Sequence, residues 1–599
     1  MSHTFHIPVL GLAFSIDTPI KVAQYGISSV ISIVDDILLE RMRCFYTEQL
    51  KEKFIAISDK EPDFRAKRIS SYLNLVGRIV AMNFNELRLS PFEAGSEISK
   101  YFEMLPPKSP LKLRYDDMLQ SEDQQIRLQK QSELRKDLIC GAIDVNIMSK
   151  VDKLNYSKDG QLMDEYSSDA LAALRGFSQS NLNASVVLSA GMNPRLYSYL
   201  ENFESFYPAP GGELLKRIIL KVSDFRSAFI QAKFLAKKGL WVSEFRIESG
   251  LNCGGHAFAT EGFLLGPILE EFKVRRAEML EDLAVLYKKG LDAKGYAVMD
   301  LPPQKITVQG GIGTASEDKF LMDFYELDGT GWGSPFLLVP EATNVDEDTL
   351  SKLTCAVKED YYISGSSPLG VPFNNFRRSS AEELRLERIR KGVPGSPCKK
   401  KFLVSNTEFT EQPICTASRE FQHLKLEQLS TMNLSVAEYN QQFEQITEKV
   451  CLCEGLATAA YIKNDILKPR ESKAVAICPG PNLAYFSRMF TLKEMVGHIY
   501  GRKDILGAVS RSNVFINELN LYVQYLQKDI EQHIRSFDEK KQKYFKKFSQ
   551  ELEKGISYYK SLVPVLLPGN GKEREDFLNE LQLAEGLLKG IQSRQLMGD

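Results

Sequence analysis

A chain of 599 residues with 43% hydrophobic and 26% charged residues lies near the globular average, which excludes a disordered or fibrous polypeptide. At about 100–200 residues per domain its length leaves room for several domains or for one large barrel with additions. Lys+Arg 76 against Asp+Glu 78 gives a net charge of -2, so no global charge draws the chain to nucleic acid or anionic lipid.

From the N-terminus, short β-branched apolar runs alternate with helical patterns. They are Pro8 to Phe14, Ser29 to Val34, Ala142 to Met148, Ser185 to Gly191, Arg217 to Val222, Trp241 to Glu248, Lys305 to Gly311 and Gly331 to Val339. Near-continuous apolar runs separated by helices are the pattern of parallel strands buried on both faces. Eight such units predict an α/β fold, a (β/α)8 TIM barrel, with an open doubly wound sheet as the rival. Several runs end in polar or glycine residues (Asn146, Gly191, Lys221, Glu248, Gly310), which places those groups at the C-terminal mouth, where barrel enzymes do their chemistry.

Residues from about 38 to 138 are charged and helical in pattern and read as a helical insertion after strand 2. Past residue 345 a Gly/Ser/Pro-rich stretch, ISGSSPLGVPFNN, ends the alternation. The expected division is therefore a barrel over 1–345, a cysteine-bearing mixed or helical region over 346–500, and a long-helix region over 501–599. The final helices, NVFINELNLYVQYL onward and REDFLNELQLAEGLLKGIQ, carry apolar stripes that either pair within the chain or form a homodimer contact. No run of about 18 apolar residues occurs, and the N-terminus lacks a basic n-region and cleavage site. The expectation is a cytoplasmic protein without membrane or nucleic-acid partners, acting on a small molecule.

Glycine turns follow the last strands. Gly254-Gly255-His256 comes after the sixth run, Gln309-Gly310-Gly311-Ile312-Gly313-Thr314 after the seventh, and Gly331-Trp332-Gly333-Ser334 opens the eighth. Consecutive glycines let backbone amides approach an anion, and the loops after strands seven and eight are a frequent phosphate site in such barrels. A histidine beside them can move a proton near neutral pH.

Together, Val9-Leu10-Gly11-Leu12, Thr18-Pro19-Ile20, the Val145-Asn146-Ile147-Met148 strand and the GGH and GGIGT turns resemble the nitronate monooxygenase (2-nitropropane dioxygenase-like) flavoproteins, a family that includes flavin-dependent enoyl reductases. The resemblance spans about residues 7 to 345, without the helical insertion. It implies an FMN-dependent oxidoreductase, with His256 as the active-site histidine of the turn formed with Gly254 and Gly255. It also implies Gly310 and Gly311 on the FMN phosphate with Gly333 and Ser334 as companions, Asn146 facing the flavin, and Lys221 where strand five approaches it. Cys253 and Trp332 depart from the pattern, the indole being expected to narrow the phosphate pocket. The alternatives are an enoyl-thioester reductase and a non-catalytic barrel-derived assembly subunit.

Five cysteines, Cys398, Cys415, Cys451, Cys453 and Cys478, fall within about eighty residues. Thiolates at that density can hold zinc or an iron–sulfur cluster. The spacings match no paired CxxC pattern, so scattered thiols are the plainer reading and no metal ligand is assigned.

Overall fold

The computed structural model describes residues 2–148, 152–156, 161–189, 191–257, 261–297, 300–507, 509–533, 539–569 and 571–596; Ala190, inside the fourth predicted run, lies outside them. Eight parallel strands close on themselves in sequence order. They are β1 (Phe5–Ile7), β2 (Ser28–Ser32), β3 (Ile143–Ile147), β4 (Ala184–Leu188), β5 (Lys216–Val222), β6 (Val242–Glu248), β7 (Lys305–Gln309) and β8 (Gly329–Gly331), with β8 pairing back onto β1 through Phe5 opposite Thr330. The predicted (β/α)8 barrel is the fold.

Two strands differ from expectation, the first because of a proline. The first lies before Pro8 rather than after it, because a residue without an N–H ends the ladder. The apolar stretch that follows packs as a loop, with Ala13 N–H donating to the Leu456 carbonyl at 3.1 Å. The last strand stops at Gly331, and Ser334–Leu338 winds into a 3-10 helix with Pro335 in its first turn.

The insertion after β2 contains the helices Phe64–Leu89, Glu97–Met104, Pro110–Gln120 and Gln124–Lys136. It has a small core of its own, where Phe102 and Tyr115 stack at 4.8 Å. Past the barrel, Tyr361–Ser364 and Phe373–Phe376 form an antiparallel pair that the sequence pattern did not suggest. The last helices are Val514–His533, Glu539–Leu566 and Gly571–Leu596; the last buries Phe577, Leu581, Ala584 and Leu588 within the chain. The largest hydrophobic cluster includes residues from Phe5 to Ile591, so the later regions are continuous with the barrel. Among the described residues no helix is long and apolar enough to cross a membrane.

The barrel interior is unusually charged. In β6 the inward side chains are Glu244, Arg246 and Glu248, alternating with Phe245 and Ile247, which face the helices. Arg246 lies 2.8 Å from Glu244 and 3.2 Å from Asp144 of β3. Thr307 Oγ1 donates to Glu244 at 2.6 Å. A small apolar cluster, Val30 of β2, Val187 of β4 and Ile219 of β5, lies apart from the main core.

Two buried histidines give the fold a pH dependence. Burial pushes His6 down to about 3, with Arg246 adding to the effect. Burial does the same for His3, also to about 3, despite its bond to the Tyr25 carbonyl. Between about pH 6.5 and 3 the unfolded chain therefore holds more protons on these rings, so stability falls as pH falls, by about 1.4 kcal/mol per pH unit for each histidine. Asp318, raised to about 6 by burial, opposes one of them over its own range. Urea midpoints are expected to drop steadily from pH 6.5 to pH 4, and His6→Asn is expected to flatten the profile.

Candidate functional site

Four strand ends define the mouth. Lys221 at the end of β5 and Glu248 at the end of β6 form an ion pair at 2.8 Å, with side chains 19% and 13% exposed. Gln309 of β7 donates its amide to the other Glu248 oxygen at 2.7 Å. Its own carbonyl oxygen lies 3.4 Å from His6 Nε2. The pair thus stands on a hydrogen-bonded column that descends through Gln309 to His6, within electrostatic reach of Arg246 and Glu244. Asn146, one position from the end of β3, is buried at the same level as the strand ends.

His256 is half-buried above this layer. Its Nε2 lies 2.8 Å from Ser367 Oγ, and the ring meets Phe373 edge-on at 5.1 Å. Asn252 holds the His256 carbonyl at 2.8 Å and is itself held by Asn374 at 2.8 Å. The histidine is thus positioned by the segment that follows the barrel. Gly255, at φ +81°, faces open space, whereas a side chain on Gly254 would meet the Cys478 carbonyl at 2.2 Å.

The dianion cup expected from Gly310, Gly311, Gly333 and Ser334 is not formed. Gly310 and Gly311 do adopt left-handed backbone, at φ +97° and +79°, as the turn requires. What they face is protein. A Cβ on Gly311 would lie 2.6 Å from Leu251, one on Gly313 2.5 Å from Arg511, and one on Gly333 2.5 Å from Cys253. Ser334 Oγ donates to the Cys253 carbonyl at 3.0 Å and accepts from Gly480 N–H at 2.7 Å. Asn482 donates to the Ile312 carbonyl at 2.7 Å. The segment Cys478-Pro479-Gly480-Pro481-Asn482 therefore lies across the exits of β6 to β8.

A carboxylate of the chain occupies the anion position at the next turn. Glu317 accepts from Gly313 N–H at 2.9 Å and from Val514 N–H at 2.7 Å, and pairs with Arg511 at 2.6 Å, both side chains under 5% exposed. Arg511 also donates to the Gly311 carbonyl at 2.5 Å. An FMN phosphate does not fit these residues as they stand, because the space beside Gly311, Gly313 and Gly333 is filled by Leu251, Arg511 and Cys253, and Gly313 N–H and Ser334 Oγ are already bonded within the chain.

Trp332 plays a different part from the one expected. Its indole N–H donates to Asp318 at 3.1 Å, and the ring packs edge-on against His498 at 5.9 Å. Cys253 fills the space left by Gly333. Burial pushes its thiol up, and Glu248 adds to that while Lys221 opposes it.

Of the residues expected at the site, Asn146, Lys221 and His256 belong to strand ends or turns around the mouth, while the pairs Gly310–Gly311 and Gly333–Ser334 each pack on the Leu251–Cys253 segment. Glu248 was read as a polar strand end but given no role. Gln309, His6 and the Ser367 partner were missed. The alternation Glu244-Arg246-Glu248 was the available signal. Comparison with protein-family models and with curated proteins finds no match for this chain.

Proposed function

We propose that the chain is a barrel enzyme acting on a small anionic or carbonyl-type organic substrate at the Lys221–Glu248 pair. The observation that carries this reading is that ion pair itself, which stands partly open at the mouth on a rigid polar column. Lys221 is the cation for an anionic oxygen of the substrate. An anion that binds Lys221 takes the ammonium away from Glu248, which Gln309 keeps in place, and the uncovered carboxylate then accepts a proton from the substrate. His256, fixed by Ser367 and Phe373, borders the space in front of Gly255 and supplies a second donor.

The test is a thermal-shift screen of small carboxylates and carbonyl acids against the wild type, Lys221→Met and Glu248→Gln. Compounds that raise the wild-type midpoint are expected to lose their effect in Lys221→Met and to keep it in Glu248→Gln, whose turnover is expected to fall by about 100-fold or more. Equal responses of wild type and Lys221→Met would refute the assignment.

A second reading, the FMN-dependent oxidoreductase implied by the family resemblance, is favoured by one observation: the left-handed glycine pair Gly310 and Gly311 at the exit of β7. It requires residues 478–482 to withdraw from the exits of β6 to β8. Purified protein is expected to show no flavin absorbance and to take up no added FMN. Stoichiometric flavin would reverse the order of the two readings, and oxidation of NADH or NADPH would then separate an enoyl reductase from a monooxygenase.

A further inference from the structure

A cavity of about 570 Å³ opens in the region past the barrel and shares no lining residue with the mouth. Clefts of this size hold small organic ligands. Three stretches of chain wall it: residues 392–398, residues 401–415, and the first two turns of the helix Arg419–Ser430.

The walls are held by backbone bonds, so the cavity is built into the fold. Ser396 N–H donates to the Ala417 carbonyl at 2.9 Å, and Arg419 N–H to the Ser396 carbonyl at 2.8 Å. A Cβ on Gly395, at φ +84°, would lie 2.7 Å from the Arg419 backbone, so only glycine lets this loop lie so close to the helix start. Asn406 and Ile414 exchange both of their backbone bonds, at 3.1 and 2.8 Å. Two residues of the wall, Cys398 and Lys401, hold left-handed backbone at φ +48° and +55°, a conformation that side-chain-bearing residues keep only where the surrounding structure enforces it.

The lining has two chemical characters. Val393, Pro394, Pro397, Val404, Ile414 and Leu426 give an apolar surface. Lys401 and Arg419 give two cations, and among the described residues no carboxylate lies within ion-pair distance of either. Glu420 is the carboxylate of the described lining, and His423 is turned to Glu427 at 3.3 Å. The first turn of the helix adds partial positive charge on the same side. Among the described residues no group of three His, Cys, Asp or Glu side chains is placed to hold a metal ion. Cys398 and Cys415 accordingly enter the wall as small apolar surface.

We propose that this cavity binds an apolar organic carboxylate, with its hydrocarbon body against the aliphatic and proline wall and its carboxylate at Lys401 and Arg419. The apolar surface supplies the driving force, and the two unpaired cations select for negative charge. The wall leads directly to the barrel. Lys400 pairs with Asp35 beyond β2 at 2.5 Å, and Phe402 and Leu403 share a small pocket with Ile33 and Ile147 at the exits of β2 and β3. The site is independent of the reaction proposed above at Lys221 and Glu248.

The test is isothermal titration calorimetry of the full chain with octanoate, octan-1-ol and octylamine, three ligands with one hydrocarbon body and different heads. Octanoate is expected to bind once per chain and about tenfold or more tighter than octan-1-ol, with octylamine weakest. Lys401→Met/Arg419→Met is expected to weaken octanoate by about tenfold, the worth of two partly exposed ion pairs. Leu426→Glu, which sets a second carboxylate in the wall, is expected to abolish binding, and Lys221→Met to leave it unchanged. Far-ultraviolet circular dichroism checks the fold of each variant, and the two exposed cations are the substitutions least able to disturb it. Four results would each overturn the proposal: no saturable octanoate binding, octan-1-ol binding as tightly as octanoate, undiminished binding in a folded Lys401→Met/Arg419→Met, or a loss confined to Lys221→Met, which would put the octanoate at the barrel mouth.

Discussion

Arg511→Met is expected to lower the unfolding free energy by about 3–5 kcal/mol, the range for removing one member of a buried ion pair. Arg511 and Glu317 are among the least exposed charged side chains of the molecule, at 3% and 4%. The guanidinium also serves Asn482 and the Gly311 carbonyl. Its loss leaves Glu317 with two amide partners but no countercharge. It also removes one of the ties between the start of the helix Val514–His533 and the turn after β7, the Val514 N–H bond to Glu317 being the other. The measurement is urea denaturation of the single variants and of Arg511→Met/Glu317→Gln. The double variant is expected to be less destabilised than the sum of the two, since residues in one network do not add. A loss under about 1 kcal/mol in Arg511→Met would show that this anchor is dispensable.

The second large effect is expected inside the barrel. Arg246 is 3% exposed and stands between Glu244 and Asp144. Burial works against the charge of Glu244, yet Arg246 more than offsets it and holds the carboxyl at about 2. In Asp144 burial prevails over Arg246, and its carboxyl is raised. The wild-type Glu244 therefore contributes stability that is complete above about pH 4.5 and is lost as pH falls toward 2. Arg246→Met leaves two carboxylates buried without a cation, at a cost of about 3–5 kcal/mol at neutral pH. The sign of the pH dependence then inverts. Acidification protonates the stranded carboxyls and is expected to narrow the gap to the wild type between pH 7 and pH 5. A gap that widens over that interval would mean that the carboxylates are already solvated.

The strand count was legible because β-branched runs flanked by helical patterns have few other uses. The ends of the first and last strands were not, since the apolar residues beside Pro8 and Pro335 look alike whether or not a ladder can use their amides. The charged column was hidden in plain view: Phe245 and Ile247 made β6 read as apolar throughout, although Glu244, Arg246 and Glu248 sit at the period of two that marks the opposite face. At the mouth, the glycines were readable as turns but not what they face. Leu251 and Cys253 are local, but Gly480, Asn482 and Arg511 come from far along the chain, and no local pattern announces such a meeting. The cysteines show the same limit. Their density was visible, while the place of Cys478 against the Gly254–Gly255 turn depended on a contact between distant parts of the chain.

The stopper across β6 to β8 has a consequence for biosynthesis. Residues 478–482 and 511–514 leave the ribosome long after β8, so the nascent cylinder is first made with Leu251, Ile312 and Cys253 bare at its rim. It is sealed from above only when the late segment arrives. A chain cut near residue 345 would keep every stave yet lack its lid, and is expected to be recovered as aggregate rather than as a free-standing unit.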